Sequence, residues 1–208
     1  MNCRGHHRLR AFWTRLCPED RAAQIVEFAV ALPLLTLFVV GIFDFSGAFT
    51  LKQKLTNVAR DAARAAAADP VTDLQVNALP VSVSHAFQVI NNYFVTSNLN
   101  NCGIDQGTIT PNAPSWTFKS PTGGTQCPPP GMVIIINRGY YFPADAATAT
   151  PPDVNCTPQP PGTNMAVVST CVSIQYAYKW QFGRVASMFG TTTLPTSITA
   201  TAVAMNEN

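Results

Sequence analysis

The longest apolar stretch of the chain covers residues 25–43 and contains only two polar side chains, Glu27 and Thr36. At about 1.5 Å per helical residue this stretch reaches about 28 Å, which is close to the thickness of a bilayer core. Arginines are concentrated ahead of it, as in the flank of a membrane-targeting segment, and this argues against a buried core helix. We therefore predict a transmembrane helix over residues 23–45, preceded by a basic leader over residues 1–22.

The hydrophobic pattern does not stop at the end of the apolar stretch. Over residues 46–69, apolar positions recur at steps of three and four, and most charged residues fall between them, which predicts an amphipathic helix. Pro70 favours an end at this point, because the residue before a proline disfavours the α conformation. The two segments would form one long rod. The apolar stripe of its second half comprises Ala48, Leu51, Leu55, Val58, Ala62 and Ala65.

A second helix is predicted over residues 81–98, where apolar side chains again follow helical spacing. His85 lies in this helix, and a single histidine there is read as a surface or half-buried side chain. The residues expected on the apolar side are Val83, Ala86, Phe87, Ile90 and Phe94.

The remainder of the chain carries strand patterns separated by proline-rich loops. Residues 108–118 are a weak strand candidate, and residues 132–142, 165–180 and 194–207 have stronger β-branched or alternating patterns. Most of the 17 prolines fall between these segments or near them, and residues 143–164 read as a long exposed loop. The predicted fold class is α+β: a long N-terminal helix, a second helix and an antiparallel sheet of three or four strands, with residues 70–208 as an extracytoplasmic domain.

The distribution of charge predicts how the chain is oriented across the membrane. Charged residues make up only 12% of the chain and the net charge is +2, so nothing favours nucleic acid as a partner. Positive charge tends to remain cytoplasmic, and we therefore place the N-terminus inside and the folded domain outside. The arginines on which this depends are Arg4, Arg8, Arg10, Arg15 and Arg21.

The cysteines divide in the same way. Cys3 and Cys17 lie in the leader, and the other four follow the membrane segment, in a compartment expected to be oxidising. Four cysteines can form two disulfides with three possible pairings, and free buried thiols are the alternative. Their spacing does not resemble a zinc site, so no metal is expected. The disulfide candidates are Cys102, Cys127, Cys156 and Cys171.

Motifs that carry chemistry do not emerge from the sequence. The pair Gly123-Gly124 lies among prolines and reads as a turn rather than a phosphate-binding loop. Neither a nucleophile elbow nor a zinc-protease motif occurs, and the carboxylates outside the leader are scattered. We therefore expect no enzymatic activity and no cofactor.

Three consecutive segments resemble the TadE-like pseudopilins of bacterial tight-adherence (Flp) pilus systems. They read "AAQIVEFAVALPLL", "GIFDFSGAF" and "LTNVARDAARAAA", and the chain end "AVAMNEN" is weakly similar to the same family. The resemblance implies a pilin-like ectodomain and a membrane-anchored minor pseudopilin, a structural component of pilus assembly in adhesion, biofilm formation or secretion. Its implied partners are the inner membrane, other pilins, the assembly machinery and a prepilin peptidase, with the ectodomain in the periplasm or incorporated in a pilus.

The resemblance also implies roles for residues near the start of the apolar stretch. A prepilin peptidase would cut between Ala22 and Ala23, although the family usually has glycine where this chain has Ala22. Glu27 and Phe28 would then act in recognition and assembly, with Glu27 meeting the new α-ammonium of a neighbouring subunit. Pairing of opposite charges would remove the cost of burying either one alone. A tolerated interfacial glutamate and a mark read only by the peptidase are the other interpretations of Glu27.

Two other functions stay open at this level. The chain could be an unprocessed, signal-anchored envelope protein with a ligand- or protein-binding ectodomain, which Ala22 favours. It could also be a secreted soluble domain, since the small residues at 46–48 permit cleavage of an ordinary signal peptide. The amphipathic helix that continues through this point argues against the secreted form.

Overall fold

The fold is described from a computed structural model, over residues 19–72, 74, 78–121, 127–143, 150–158, 166–181, 183 and 194–207. The described chain belongs to two compact units, Met1–Phe45 and Ser46–Asn208. The first element that the structure describes is one long helix. This helix, α1, runs from Glu19 to Ala68 and includes Pro33.

The first unit contains the apolar half of α1. Its large side chains are exposed, and an 18-residue window within it has a mean hydropathy of 2.4 with none of its residues buried. By length and composition this is the one helix of the described chain that is suited to crossing a membrane. The hydroxyl of Thr36 donates to the Leu32 carbonyl at 2.8 Å, so this polar group is satisfied within the helix itself.

The second unit begins with the amphipathic half of α1. Four of the six residues of the predicted stripe are buried core positions, whereas Ala48 and Ala65, at or near its two ends, are half-buried. The buried face is wider than predicted, because small alanines on both sides of the stripe allow neighbouring elements to approach closely. The additional buried residues are Ala59, Ala63, Ala66 and Ala67.

The second helix, α2, runs from Val81 to Thr96. Val83, Ala86, Ile90 and Phe94 are buried as predicted, whereas Phe87 is half-buried. The helix ends two residues before the predicted boundary, because the residue at position 98 is an asparagine with a φ of 50°. Its amide and the following one donate to the carbonyls of residues 95 and 94, which is the Schellman arrangement for closing a helix.

After a short 3₁₀ turn over Ile104–Gln106, the described residues form a sheet of five antiparallel strands in sequence order. This confirms the α+β class, with more strands than the three or four expected. The extra strand arises because residues 108–118 are not one strand but most of a hairpin that turns at Ala113 and Pro114. Two prolines in this short segment disfavour a continuous strand. The strands are β1 (Thr108–Asn112), β2 (Ser115–Lys119), β3 (Met132–Pro143), β4 (Ala166–Ala177) and β5 (Ser197–Met205).

The core of the second unit lies between the sheet and the two helical segments. Side chains from β2 to β5 join those of α2 and of the amphipathic half of α1 in one cluster. Phe87 stacks on Phe118 with ring centroids 4.5 Å apart, and Phe94 lies 5.6 Å from Tyr176. Because side chains alternate along a strand, Cys171 faces away from its core neighbour Val172.

Two disulfides are present, as predicted, and each joins two successive cysteines of the ectodomain, 25 and 15 residues apart. Cys102 pairs with Cys127, and Cys156 pairs with Cys171. The second bridge ties residues 150–158 to the sheet face opposite the helices. Further bonds hold the same segment there, including the Ser173 hydroxyl to the Val154 carbonyl at 2.6 Å. The rest of the predicted loop, residues 144–149 and 159–164, lies outside the described residues, as does residue 165 at the start of the next predicted strand.

Candidate functional site

The predicted processing and assembly residues lie on the first turns of α1. Ala22 and Ala23 are both within the helix, and Ala23, Glu27 and Phe28 are exposed. Residues four apart on a helix are neighbours on one face, so Ala23 and Glu27 lie one turn apart. The helix therefore presents a carboxylate next to the position where cleavage after Ala22 would create an α-ammonium.

The surroundings of Glu27 are apolar and uncovered. Phe28 is 66% exposed, and large aliphatic and aromatic side chains continue the same exposed surface toward residue 45. An uncovered apolar surface of this length has no stable place in water, because burial of apolar area is the main source of folding and association energy. It can be covered by lipid, by the helix of another subunit, or by both in succession.

A second cluster, which the sequence did not predict, lies at the other end of α1. The guanidinium of Arg138 is fully buried and donates to the backbone carbonyls of Ala66, Asp69 and Pro70; the Asp69 and Pro70 bonds are 2.7 and 3.2 Å long. The last carbonyls of a helix lack partners within the helix and carry partial negative charge. A cationic donor at this position therefore satisfies three carbonyls at and beyond the helix end.

Arg138 reaches this position because β3 is irregular there. The pairing of β3 with β4 shifts between Asn137 and Tyr140, as in a β-bulge, which re-aims side chains. Gly139 is needed in the bulge, since a Cβ at this position would lie 2.5 Å from the Cγ of Pro114. The Asn137 side chain accepts from the Gly139 amide at 2.9 Å and donates to the Cys156 carbonyl.

The end of the chain completes this cluster. Asn206 accepts from Arg138 at 3.3 Å and from the Thr170 hydroxyl at 2.6 Å, and its amide donates to the Arg138 carbonyl at 3.2 Å. The amide of Glu207 donates to the Ala67 carbonyl at 3.3 Å. The chain end "AVAMNEN", which the family resemblance singled out, thus fastens β5 to the end of α1. That resemblance was the available signal for Asn206, whereas nothing in the sequence pointed to Arg138.

His85 contributes to the same region from α2. Its Nδ1 lies 3.2 Å from Oδ2 of Asp69, and its side chain is 52% exposed. This agrees with the interpretation of a surface histidine. Within the described part of the chain, no group of three or more histidine, cysteine, aspartate or glutamate side chains is arranged to hold a metal ion.

The structure defines a class of protein with one apolar N-terminal helix, suited to a membrane anchor, and an α+β unit closed by two disulfides. The family model described as TadE-like protein matches residues 22–64 of this chain. The match confirms the resemblance over this segment, which includes the apolar half from Ala22 onward, with Glu27, and most of the amphipathic half. It indicates involvement in tight-adherence pilus systems. No curated protein matches the chain, and no solved structure does.

Proposed function

We propose that this protein is a membrane-anchored minor pseudopilin that serves as a structural, non-enzymatic component in the assembly of a tight-adherence pilus. One observation carries the proposal: the segment that matches the TadE-like family coincides with a continuous helix whose apolar half is uncovered and whose other half is built into a folded unit. This arrangement suits a subunit that is held in the inner membrane and passes into a helical assembly. Its ectodomain would lie in the periplasm.

The proposal includes processing by a prepilin peptidase between Ala22 and Ala23. Cleavage would leave a mature chain of 186 residues, from 208 − 22, that begins with the apolar half of α1. The α-ammonium of Ala23 would then lie at the cytoplasmic edge of the membrane, one helical turn from Glu27. Alanine in place of the usual glycine at position 22 adds a methyl group at the cleaved bond, and it favours the alternative of an anchored protein that is never cut.

The carboxylate of Glu27 would pair with this new α-ammonium during assembly. A carboxylate at the centre of a membrane helix costs about 2.5–3.5 kcal/mol, and the cost falls toward the interface. Pairing with the α-ammonium of a neighbouring subunit would offset the cost when the helix moves into a protein environment. The pair would fix the axial register of one helix against the next.

The test is the replacement of Glu27 by alanine in the native host. We expect Glu27→Ala to insert in the membrane at normal level but to lose co-assembly with other pilins by about tenfold or more, because an unpaired α-ammonium would remain buried in the assembly. Membrane fractions and cross-linking to pilin partners measure the two steps separately. Gln24→Ala, which removes an exposed polar side chain from the same turn, is the matched control.

Normal co-assembly of Glu27→Ala would contradict the register role. A loss of the mutant protein from the membrane fraction would instead show that Glu27 is required for membrane insertion. The secreted soluble alternative is disfavoured by α1 itself, which continues without interruption through residues 46–48 and is buried at Leu51 and Leu55. Cleavage there would have to take place within a helix that belongs to the folded unit.

A further inference from the structure

A cleft of about 490 Å³ opens within the second unit, close to the point where the apolar half of α1 ends. One wall is formed by the first turns of the amphipathic half, from Ser46 to Lys54, and the other by the end of β4 and the residues that follow it, Tyr176 to Lys179. Ser46 comes directly after the apolar half in the chain. When the apolar half spans the bilayer, as proposed, Ser46 and the cleft that it lines lie next to the membrane surface.

Tyr176 and Tyr178 line the cleft, and Trp180 adjoins it through its contact with Tyr178. Tyr178 and Trp180 meet edge to face with ring centroids 5.1 Å apart, and the indole of Trp180 donates to the Pro195 carbonyl at 2.8 Å. The wall at Gly47 is close to this pair, since a Cβ there would lie 3.0 Å from the Tyr178 hydroxyl. Tyrosine and tryptophan are enriched where proteins cross the membrane–water interface, because one end of each ring system is apolar and the other is polar.

The charge of the cleft is one-sided. Lys54 and Lys179 line it, and none of the lining residues that the structure describes is a carboxylate. Tyr176 adds a neutral hydroxyl: burial raises its pKa, and it donates to the Asn100 carbonyl at 3.0 Å. Two ammonium groups beside an aromatic pair are complementary to a phosphate group that carries an apolar tail.

We propose that this cleft binds the phosphate headgroups of anionic phospholipids in the outer-facing leaflet of the membrane that holds α1. The proposal depends on the membrane anchoring of α1 described under Proposed function. The distances agree with it: the four steps from Ser46 to Thr50 rise about 6 Å, and the headgroup layer on one side of a bilayer is roughly 5–7 Å thick. Headgroup binding would hold the ectodomain at the membrane surface before the subunit is extracted into an assembly.

The experiment uses the full chain in vesicles and reads the fluorescence of Trp180. Trp13→Phe removes the leader tryptophan, and Trp116 is fully buried and away from the cleft lining. A spin-labelled phosphatidylglycerol headgroup quenches a nearby indole. We expect strong quenching of Trp180 in vesicles of phosphatidylcholine and phosphatidylglycerol, and much weaker quenching when the same label is carried by phosphatidylcholine in vesicles of that lipid alone.

The charge requirement is tested by Lys54→Gln combined with Lys179→Gln. We expect the preference for phosphatidylglycerol to fall roughly fivefold for each lysine removed, because each cation near an anionic surface contributes about that factor. Arg64→Gln combined with Lys119→Gln removes the same charge from exposed positions outside the cleft and should leave the preference unchanged. An equal loss in both double variants would overturn the proposal, because it would show a general charge effect.

A separate reporter distinguishes failure of the cleft from failure of the anchor. Phe43→Trp, in a chain that also carries Trp13→Phe and Trp180→Phe, places the reporter at the end of the apolar half. If the fluorescence of the reporter at position 43 is quenched but that of Trp180 is not, membrane anchoring of α1 is supported and lipid binding by the cleft is overturned. Quenching of neither would overturn both. Protection of Trp180 that depends on the protein-to-lipid ratio would show that a second copy of the chain occupies the cleft instead.

Discussion

The two halves of α1 share one helix but differ in what surrounds them. Leu35, in the apolar half, is 64% exposed, whereas Leu55, in the amphipathic half, is fully buried against the ectodomain core. The first half carries large apolar side chains that are mostly exposed, and the second has a buried face of leucine, valine and alanine. The side-chain pattern, rather than helix propensity, therefore determines which environment each half requires.

The ends of the helix differ in a parallel way. At the N-terminal end, Glu27 is exposed and its proposed partner exists only after cleavage. At the C-terminal end, Arg138 already satisfies the carbonyls of Ala66, Asp69 and Pro70. One end has its hydrogen-bond partners within the folded chain, and the other would gain its proposed partner only after processing.

Replacing Arg138 should have the largest effect on the ectodomain. We expect Arg138→Met to lower the free energy of unfolding by about 3–5 kcal/mol, because it leaves the helix-end carbonyls and the Thr170–Asn206 pair buried with fewer partners. Chemical denaturation in detergent, followed by the near-ultraviolet signal of the ectodomain, measures it. Arg64→Met on the exposed face of α1 should change stability by less than about 0.5 kcal/mol. Equal effects of the two variants would contradict the role of Arg138.

Truncating the two leucines separates the two halves directly. Leu55→Ala should destabilise the ectodomain by about 2–5 kcal/mol, since it removes buried apolar contacts and leaves a cavity. Leu35→Ala should leave the same unfolding transition unchanged, because that side chain does not belong to the ectodomain core. Both variants are measured in the denaturation assay used for Arg138. A comparable loss in Leu35→Ala would show that the apolar half also stabilises the folded unit.

The disulfide between Cys156 and Cys171 should contribute somewhat less. Closing a 15-residue loop restricts the unfolded chain by about 3 kcal/mol in the loop-entropy account. We expect the double replacement by serine to lose up to that amount, and peptide mapping without reductant to find the pair linked in the parent protein. Replacing Cys3 and Cys17 in the leader is the matched control and should leave the transition unchanged. Four free ectodomain thiols in the mapping would contradict the assignment.

Much of the helical part of this fold follows from local pattern. The stripe of the amphipathic half and the buried side of α2 repeat at helical spacing, and the apolar stretch is long enough for a helix. The structure has helices at all three places. The hairpin at residues 108–119 was missed because its two short strands and its proline turn lie within what reads as one segment. Disulfide pairing could not be derived, since the spacing of four cysteines is compatible with three pairings.

The burial and the partners of Arg138 could not be predicted from the sequence, for a different reason. Its acceptors come from the end of α1, from β4 and from the chain end, which only the tertiary fold brings together. An arginine within a β-branched strand also reads as an exposed position, because charged side chains are rarely fully buried. Glu27 presents the opposite case: its sequence pattern is distinctive, whereas its proposed partner is outside the folded single chain.

The central claim is that the chain becomes a processed, membrane-held subunit that begins with the apolar half of α1. The intact mass and N-terminal sequence of the protein from membranes of its native host test this most directly. We expect a mature chain of residues 23–208, with Ala23 as the free N-terminus. A chain that begins at Met1 would contradict processing and leave Glu27 without its partner, and a soluble chain that begins near Phe49 would contradict the anchor itself.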